Sequence, residues 1–460
     1  MDSFEHKGIW WLPEDLENEH PGTLSFDPIN GGHLEVIKPL SISEPFFEQY
    51  PRGKIDIIQG IVQGSPVTLR GCCVTKTNFS TPGFSEAQIR VNYIYMGHHF
   101  DKVKDIVFEK LSVRYTHLDE WANQSYFKIN RTPDNRLDSI SYIPSKPTKI
   151  QLDKYDIEFW GSYNSEQTRA EFSIKNIERI TITSKEECHF DSYLEFINSY
   201  LPNFLTLATG HTNYPFDIRG IISDKRSSIG IYYRILGYRD KPRSISPREM
   251  LFTFEDIKAD LSTYLPNWIS KSEKLWPVYD EYFKHYYSRY IDTKSQFLSY
   301  TRALEAYHRN VHDGVYLTPE EYKPIENQLI ETIRTLQIEK SHKEKLKNMV
   351  KYGYEFSLRK RIKNLCDDTL SDKGIIEGLL GKSKDFANKV TVIRNYLTHN
   401  PKDQSENAIP NDELFDYIRK MQMLLRLCFL VEIGFSPNEI KRLMNDYDEY
   451  KALTEKQQKA

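Results

Sequence analysis

Arg394, Asn395 and His399 are the residues of this 460-residue chain whose types and spacing best suit chemistry on a phosphate. The arginine offers a planar, permanently charged fork that matches phosphate oxygens. The histidine is the side chain whose ordinary pKa lets it move protons near neutral pH. At a helix C-terminus the macrodipole favours its charged form, which suits a general acid or a phosphate clamp. Asn395 adds a neutral donor beside the arginine. Phe386, Val390, Ile393 and Leu397 recur at helical spacing and predict an amphipathic helix that carries all three. Asn400-Pro401 stops it, because the residue before a proline is pushed out of the α region. Five residues of ideal helix leave Arg394 and His399 about 140° apart. They converge only if the last turn unwinds, or if a second copy of the helix brings its own pair alongside. The plain alternative is a surface arginine and a helix-terminal histidine with no shared task.

Other positions weigh in with this pair. Arg302 and His308 form a second Arg…His pair, but in mid-helix, where packing is the expected role; Glu305 between them is a candidate for orienting the main site. The stretch 339–363 holds nine Lys and Arg against three Glu, a net +6, interleaved with Tyr352, Tyr354 and Phe356. Lys343, Lys347, Lys351, Arg359, Lys360 and Lys363 are the candidates there for tracking RNA phosphates, the competing reading being a solvated face. A second basic cluster, Lys225, Arg226, Arg234, Arg239, Lys241, Arg243 and Arg248, divides the same way between a loop surface and an RNA-facing one. Gly378-Leu-Leu-Gly381-Lys382-Ser383 resembles the end of a phosphate-cradling loop. It lacks both the first glycine, where Ile376 stands, and a preceding strand. His-Glu-x-x-His, EF-hand, Gly-x-Ser-x-Gly and deaminase patterns are missing, so no metal and no cofactor are expected.

The elements that must position these residues divide the chain. Short alternating runs over Gly8–Pro13, Gly22–Phe26, His33–Ile37, Ile55–Val62, Val67–Cys73, Gln88–Met96 and Lys110–Tyr115 predict a β-rich sandwich or barrel-like region. Strands continue at Lys149–Leu152, Ile157–Tyr163, Ala170–Ile174 and Glu178–Ile182, then a helix over Phe190–Ala208 and a strand over Ile229–Leu236. Trp10 and Trp11 are expected in packing, and His98-His99 in a turn. After Pro247 only helices are expected: Arg248–Leu265, Trp268–Tyr290, Lys294–Asn310, Thr318–Leu336, His342–Leu365, Lys384–Thr398, Asp412–Gly434 and Pro437–Tyr447. The last ten residues read as a polar tail or a fraying helix end. The fold class is therefore α+β, with a β-rich domain over 1–245, a helical connector over 246–290 and an all-α bundle over 291–460.

Composition bounds the function. A net charge of −3 and a pI of about 6.5 exclude a globally basic nucleic-acid coat, so any polyanion site is a local patch. Five cysteines, none in a C-x-x-C pair, argue against a disulfide framework or a zinc knuckle. No leader pattern and no long apolar run are present. The nearest, Leu424–Gly434, is broken by Arg426 and Glu432. A cytoplasmic protein that does not engage a membrane is expected.

An all-α C-terminal bundle whose late helix ends in Arg394-Asn395-x-x-x-His399 resembles the HEPN superfamily of ribonucleases. The helix from Phe297 to His308 looks like the opening helix of its ApeA-like branch. Trp10-Trp11-Leu-Pro13, Gly22-Thr-Leu-Ser-Phe26 and Leu118-Asp-Glu-Trp121 are similar to the ApeA N-terminal domain. Together the similarities span roughly residues 8–280 and 294–433. They imply a metal-independent anti-phage endoribonuclease that works as a homodimer and halts the infected cell, with RNA, tRNA foremost, as substrate. A phage-derived trigger or inhibitor is the further partner implied. The alternative is a non-catalytic HEPN module for dimerisation or binding, with the N-terminal domain sensing a phage component.

Overall fold

Alternating side chains in the first part of the chain, and a 3.6-residue period in the second, become two units in the computed structural model: Met1–Ser262 and Thr263–Ala460. The division falls inside the stretch expected as a helical connector. Described residues are 2–37, 53–78, 83, 85–124, 126–144, 146–222, 228–238, 243–288, 290, 292–370, 372–399 and 410–458.

In the first unit β1 (Phe4–Leu12), β2 (Asp15–Asp27), β3 (Gly31–Ile37), β4 (Lys54–Val62), β5 (Ser65–Asn78) and β6 (Glu86–Met96) pair antiparallel in the order β6-β3-β2-β1-β4-β5. A further β5–β6 pairing closes the ring, so the region is a six-stranded barrel and not a sandwich. Trp10, Leu24, Leu34, Ile58, Val67 and Leu69 are fully buried, and Trp11 nearly so. Gly60 makes room for the Trp10 indole: a Cβ there would lie 2.3 Å from a ring carbon.

β6 has a second role. Its first half pairs with β3 as far as Gly32↔Val91, and its last residues pair with β14 (Ile229–Tyr233) from Tyr233↔Tyr93 onward. Through β14 the barrel continues into β13 (Pro215–Ile221), β7 (Val107–Tyr115), β12 (Phe172–His189), β11 (Tyr155–Gln167) and β10 (Thr148–Gln151). Two expected runs, Ala170–Ile174 and Glu178–Ile182, are one 18-residue strand, β12. A hairpin of β8 (Phe127–Arg131) and β9 (Leu137–Tyr142), and β13 itself, were not expected. α1 (Leu118–Ala122) is a single turn. The expected helix over Phe190–Ala208 is present as α2 (Asp191–Glu195), a π-helical turn (Phe196–Tyr200) and α3 (Leu201–Thr209). Edge-to-face contacts among Tyr95, Phe100, Phe108 and Phe190 fill the space under it. The expected helix Arg248–Leu265 is instead a 3-10 turn (Pro247–Glu249), the short α4 (Phe254–Ile257) and, from Leu261, the start of the next helix. His98 and His99 follow β6 as expected, His99 Nε2 lying 2.8 Å from the Gly60 carbonyl.

The second unit is all helical but for an isolated Val315↔Glu355 bridge. α5 (Leu261–Tyr287) runs through Pro266, where a break had been expected between two helices, and through Pro277. Burial of Trp268, Leu275, Val278, Tyr282 and Phe283 outweighs the backbone bonds the prolines forfeit. There follow α6 (Thr293–Val311), α7 (Pro319–Thr335), α8 (Lys340–Lys351), α9 (Leu358–Asp368), α10 (Lys373–Leu380), α11 (Ser383–His399), α12 (Asn411–Ile433), α13 (Pro437–Asp446) and α14 (Asp448–Gln458). Thr318 and Ser436 each complete a reciprocal capping box at a helix entry. α12 is the central rod: Met421, Met423, Leu424, Leu425, Leu427, Cys428, Phe429 and Leu430 are wholly buried. Arg426, in the same run, is buried too. Its guanidinium donates to the Tyr282, Tyr286 and Tyr447 hydroxyls and to the Glu449 carboxylate. That contact ties α14, whose sequence reads as a tail, to the core. Glu432 accepts from the Tyr307 hydroxyl at 3.0 Å and pairs with Lys271 at 2.7 Å. Among the described residues no helix is long and apolar enough to cross a membrane.

Candidate active site

α11 forms where sequence periodicity places it. Gly381, at φ +72°, closes α10 and lets Ser383 open the next helix; this is the work of the glycines that resembled a phosphate loop. Phe386, Ala387, Val390 and Ile393 are buried, Phe386 stacking on Tyr417 at 5.8 Å. The opposite stripe, Asn388, Val392, Asn395 and His399, is exposed at i, i+4, i+7 and i+11. Asn395 and His399 thus share one solvent-facing line, and Arg394, half-buried, flanks it.

Arg394 Nη1 donates to Asn395 Oδ1 at 3.0 Å, and the Thr398 hydroxyl donates to the Arg394 carbonyl at 2.7 Å. No carboxylate pairs with the Arg394 guanidinium among the described residues, so its remaining donors are open to an anion. The helix stays regular through His399. Unwinding of the last turn, one of the two ways to bring Arg394 and His399 together, is therefore not seen. Asn400 and Pro401, which were to stop the helix, lie outside the described residues. Glu305 has no hydrogen bond to the motif among the described residues; it pairs with Arg309 at 3.2 Å, and Arg309 with Glu355 at 2.7 Å.

The basic stretch departs from expectation. The helix foreseen over His342–Leu365 is two helices, α8 and α9, parted at 352–357. Residues 354–356 turn extended and pair with 314–316, through Tyr316 N to Tyr354 O at 2.7 Å and Phe356 N to Gly314 O at 2.9 Å. Ser357 then caps α9 by accepting from Lys360 N at 3.3 Å. Lys343, Lys347 and Lys351 fall on α8, and Arg359, Lys360 and Lys363 on α9. Several are occupied. Lys343 donates to the Arg334 carbonyl at 2.8 Å, Lys347 pairs with Glu344 at 2.8 Å, and Lys363 pairs with Asp367. The Lys351 and Lys360 ammoniums lie over the Tyr352 and Phe356 rings. Arg359 is exposed and has no carboxylate partner among the described residues.

Arg361, counted with the surface charge, is 1% exposed. It donates to the Phe356 carbonyl at 3.1 Å and lies 3.3 Å from His308 Nδ1. Burial, with His312 and Arg361 alongside, pulls His308 down to about 4, so the neutral ring can accept that contact at pH 7. Arg302 meanwhile turns to Glu281 at 3.0 Å. The Arg302/His308 pair is thus packing, and the arginine that His308 meets comes from 53 residues away. Only the apolar neighbours of Arg361, Ile362 and Leu365, signalled that it faces inward.

In the 225–248 cluster, Lys225, Arg226, Arg239 and Lys241 lie outside the described residues. Arg243 pairs with Glu249 at 2.6 Å, Arg248 is exposed, and Arg234 donates from Nε to the Ile29 carbonyl at 2.9 Å.

A helical bundle in which one exposed helix end presents Arg-Asn-x-x-x-His is the arrangement of a HEPN domain, a class whose members are typically ribonucleases. Residues 298–439 match the family model described as Apea-like HEPN, and residues 5–268 match that of ApeA N-terminal domain 1. The chain belongs to the ApeA family, with its N-terminal domain and its HEPN domain in that order. Comparison with curated proteins and with solved structures returned no match.

Proposed function

We propose that the chain is a metal-independent HEPN endoribonuclease of bacterial anti-phage defence, working as a homodimer and halting the infected cell by cutting RNA. The observation that carries this reading is the exposed stripe of α11, where Asn395 and His399 are in line and the fork of Arg394 is held by Asn395, with no carboxylate partner among the described residues. His399 takes the proton from a ribose 2′-hydroxyl, or returns one to the leaving 5′-oxygen. The 2′-oxygen bonds to the adjacent phosphorus as the P–O5′ bond breaks, leaving a 2′,3′-cyclic phosphate and a 5′-hydroxyl. Arg394 meets the charge that builds on the pentacovalent phosphate, and Asn395 orients its fork. Because a regular helix turns Arg394 and His399 apart, a second α11 from a partner copy completes the site.

The in-line geometry of attack is disfavoured in an A-form stem and accessible in a loop, so a structured RNA with an open loop, a tRNA anticodon loop foremost, is the substrate. Cleavage is expected to persist in EDTA and to yield 5′-hydroxyl ends. Mapping the ends of total RNA after expression checks both, and 5′-phosphate ends with activity restored only by Mg²⁺ would refute the mechanism.

The basic residues of α8 and α9 supply docking. Since Lys363 is committed to Asp367, Arg359 and Lys360 carry more of it. Arg359→Glu with Lys360→Glu is expected to raise KM more than it lowers kcat, and to flatten the salt dependence of binding by roughly 0.7 per lost phosphate contact. An unchanged salt slope would make α9 a solvated face only.

A further inference from the structure

Where β6 changes partner, the barrel and the sheet part. β3 leaves β6 after Gly32↔Val91 and β14 joins at Tyr233↔Tyr93, so the two neighbours diverge about Asn92. The gap is a cleft of about 250 Å³ lined by Asn30, Arg90, Asn92, Tyr93, Tyr233 and Arg234, with Gly31 (φ +88°) adding no side chain to its wall. Among the described residues no carboxylate lines it.

Its two arginines differ from those around them. Arg70, over the Tyr93 ring at 5.2 Å, is neutralised by Asp191 through contacts of 2.7 and 2.6 Å. Arg90 is exposed and has no hydrogen-bond or ion-pair partner among the described residues. Arg234 is exposed and, among the described residues, is anchored only through Nε, which donates to the Ile29 carbonyl at 2.9 Å, so its terminal nitrogens are without a partner there. The turn that supplies that carbonyl is itself fixed, the Asp27 carboxylate accepting from the Ile29 and Asn30 amides at 3.0 and 2.9 Å. Two arginines and an asparagine lining one cleft, with no acid among its described lining residues, match a doubly charged anion with several acceptor oxygens. The volume lies just under the usual range for small-molecule sites, roughly 300–1,000 Å³, which favours a small ligand.

We propose that this cleft binds a phosphate monoester of mononucleotide size, its phosphate held between Arg90 and Arg234. The site is independent of α11 and of the nuclease reading. Titration calorimetry on the full-length protein tests it, with AMP as the probe and adenosine and inorganic phosphate as partial probes. AMP is expected to bind saturably, inorganic phosphate to compete and adenosine not to bind. Arg90→Gln should weaken AMP by about tenfold or more, and the double variant with Arg234→Gln should abolish binding. Arg234→Gln also loses the Ile29 contact, so Arg90→Gln, whose guanidinium supports nothing else, decides the matter. His399→Ala should bind AMP as the parent does, even if the nuclease reading fails. Absence of saturable AMP binding, unchanged affinity in Arg90→Gln, or equal binding of adenosine overturns the proposal. So does competition by an RNA oligomer without a terminal phosphate that matches AMP.

Discussion

His399→Ala is expected to lower RNA cleavage by roughly 10²–10⁴-fold, the range a positioned proton-transfer group supplies. The side chain is exposed, on the outer stripe of α11, and the core stripe of Phe386, Ala387, Val390 and Ile393 is untouched by the change. Stability should therefore stay within about 0.5 kcal/mol of the parent, and the proposed dimer should persist. Arg394→Lys tests the other half of the site. It keeps the charge but loses the fork that donates to Asn395 Oδ1, so kcat should fall while KM changes little. Single-turnover cleavage beside sedimentation analysis separates these outcomes from misfolding. A His399→Ala protein that still cuts RNA at the parent rate would leave the bundle a binding module and remove the proton-transfer role.

Glu449→Ala is expected to cost the helical unit about 3 kcal/mol or more, a fall in Tm of roughly 6–12 °C. Arg426 is 2% exposed, and Glu449 is its only carboxylate partner among the described residues. Removing that partner leaves a buried positive charge with only the Tyr282, Tyr286 and Tyr447 hydroxyls around it. The pair also makes stability depend on acid. Burial alone would raise the Glu449 carboxyl, but the Arg426 guanidinium and the Tyr447 hydroxyl hold it down at about 2, against an ordinary value of 4.5. A depressed carboxyl contributes stability that is complete above about pH 4.5 and drains away as pH falls toward 2. Thermal melts of the parent should therefore steepen their decline over that window, and those of Glu449→Ala should not. Replacing both residues, Arg426→Met with Glu449→Leu, should recover much of the loss, because no charge is then stranded. A melting temperature for Glu449→Ala within about 1 °C of the parent would show that the network carries no net stability.

The helices with a clean apolar period and a clear entry signal were legible: α6, α7, α11, α12 and α13 lie within a residue or two of expectation. Misreadings have local causes. Pro266 of α5 read as a break because propensity is local, while the packing that overrides it comes from distant residues. The division between α8 and α9 was hidden because its cause, pairing of 354–356 with 314–316, joins segments 40 residues apart. Barrel and sandwich give the same alternation in each strand; only the β5–β6 pairing tells them apart. For the candidate site, the helix that carries Arg394, Asn395 and His399 was legible, and so was the angle that parts Arg394 from His399; the line shared by Asn395 and His399 was not drawn from the sequence. The inward turn of Arg361 was not, since a charge on a basic run reads as solvated until its partner is known.

β6 belongs to two structures, and the order of synthesis separates them. Every barrel strand lies between Phe4 and Met96, so the ring can close while most of the chain is still being made. The other obligation of β6 waits for β14, about 130 residues later, and a contact that distant is slow to form. Until it arrives, the last residues of β6 stand with a bare edge beside a finished barrel. In the nascent chain the vulnerable surface is therefore this one interrupted seam, the place where a chaperone or a misplaced strand would first find purchase.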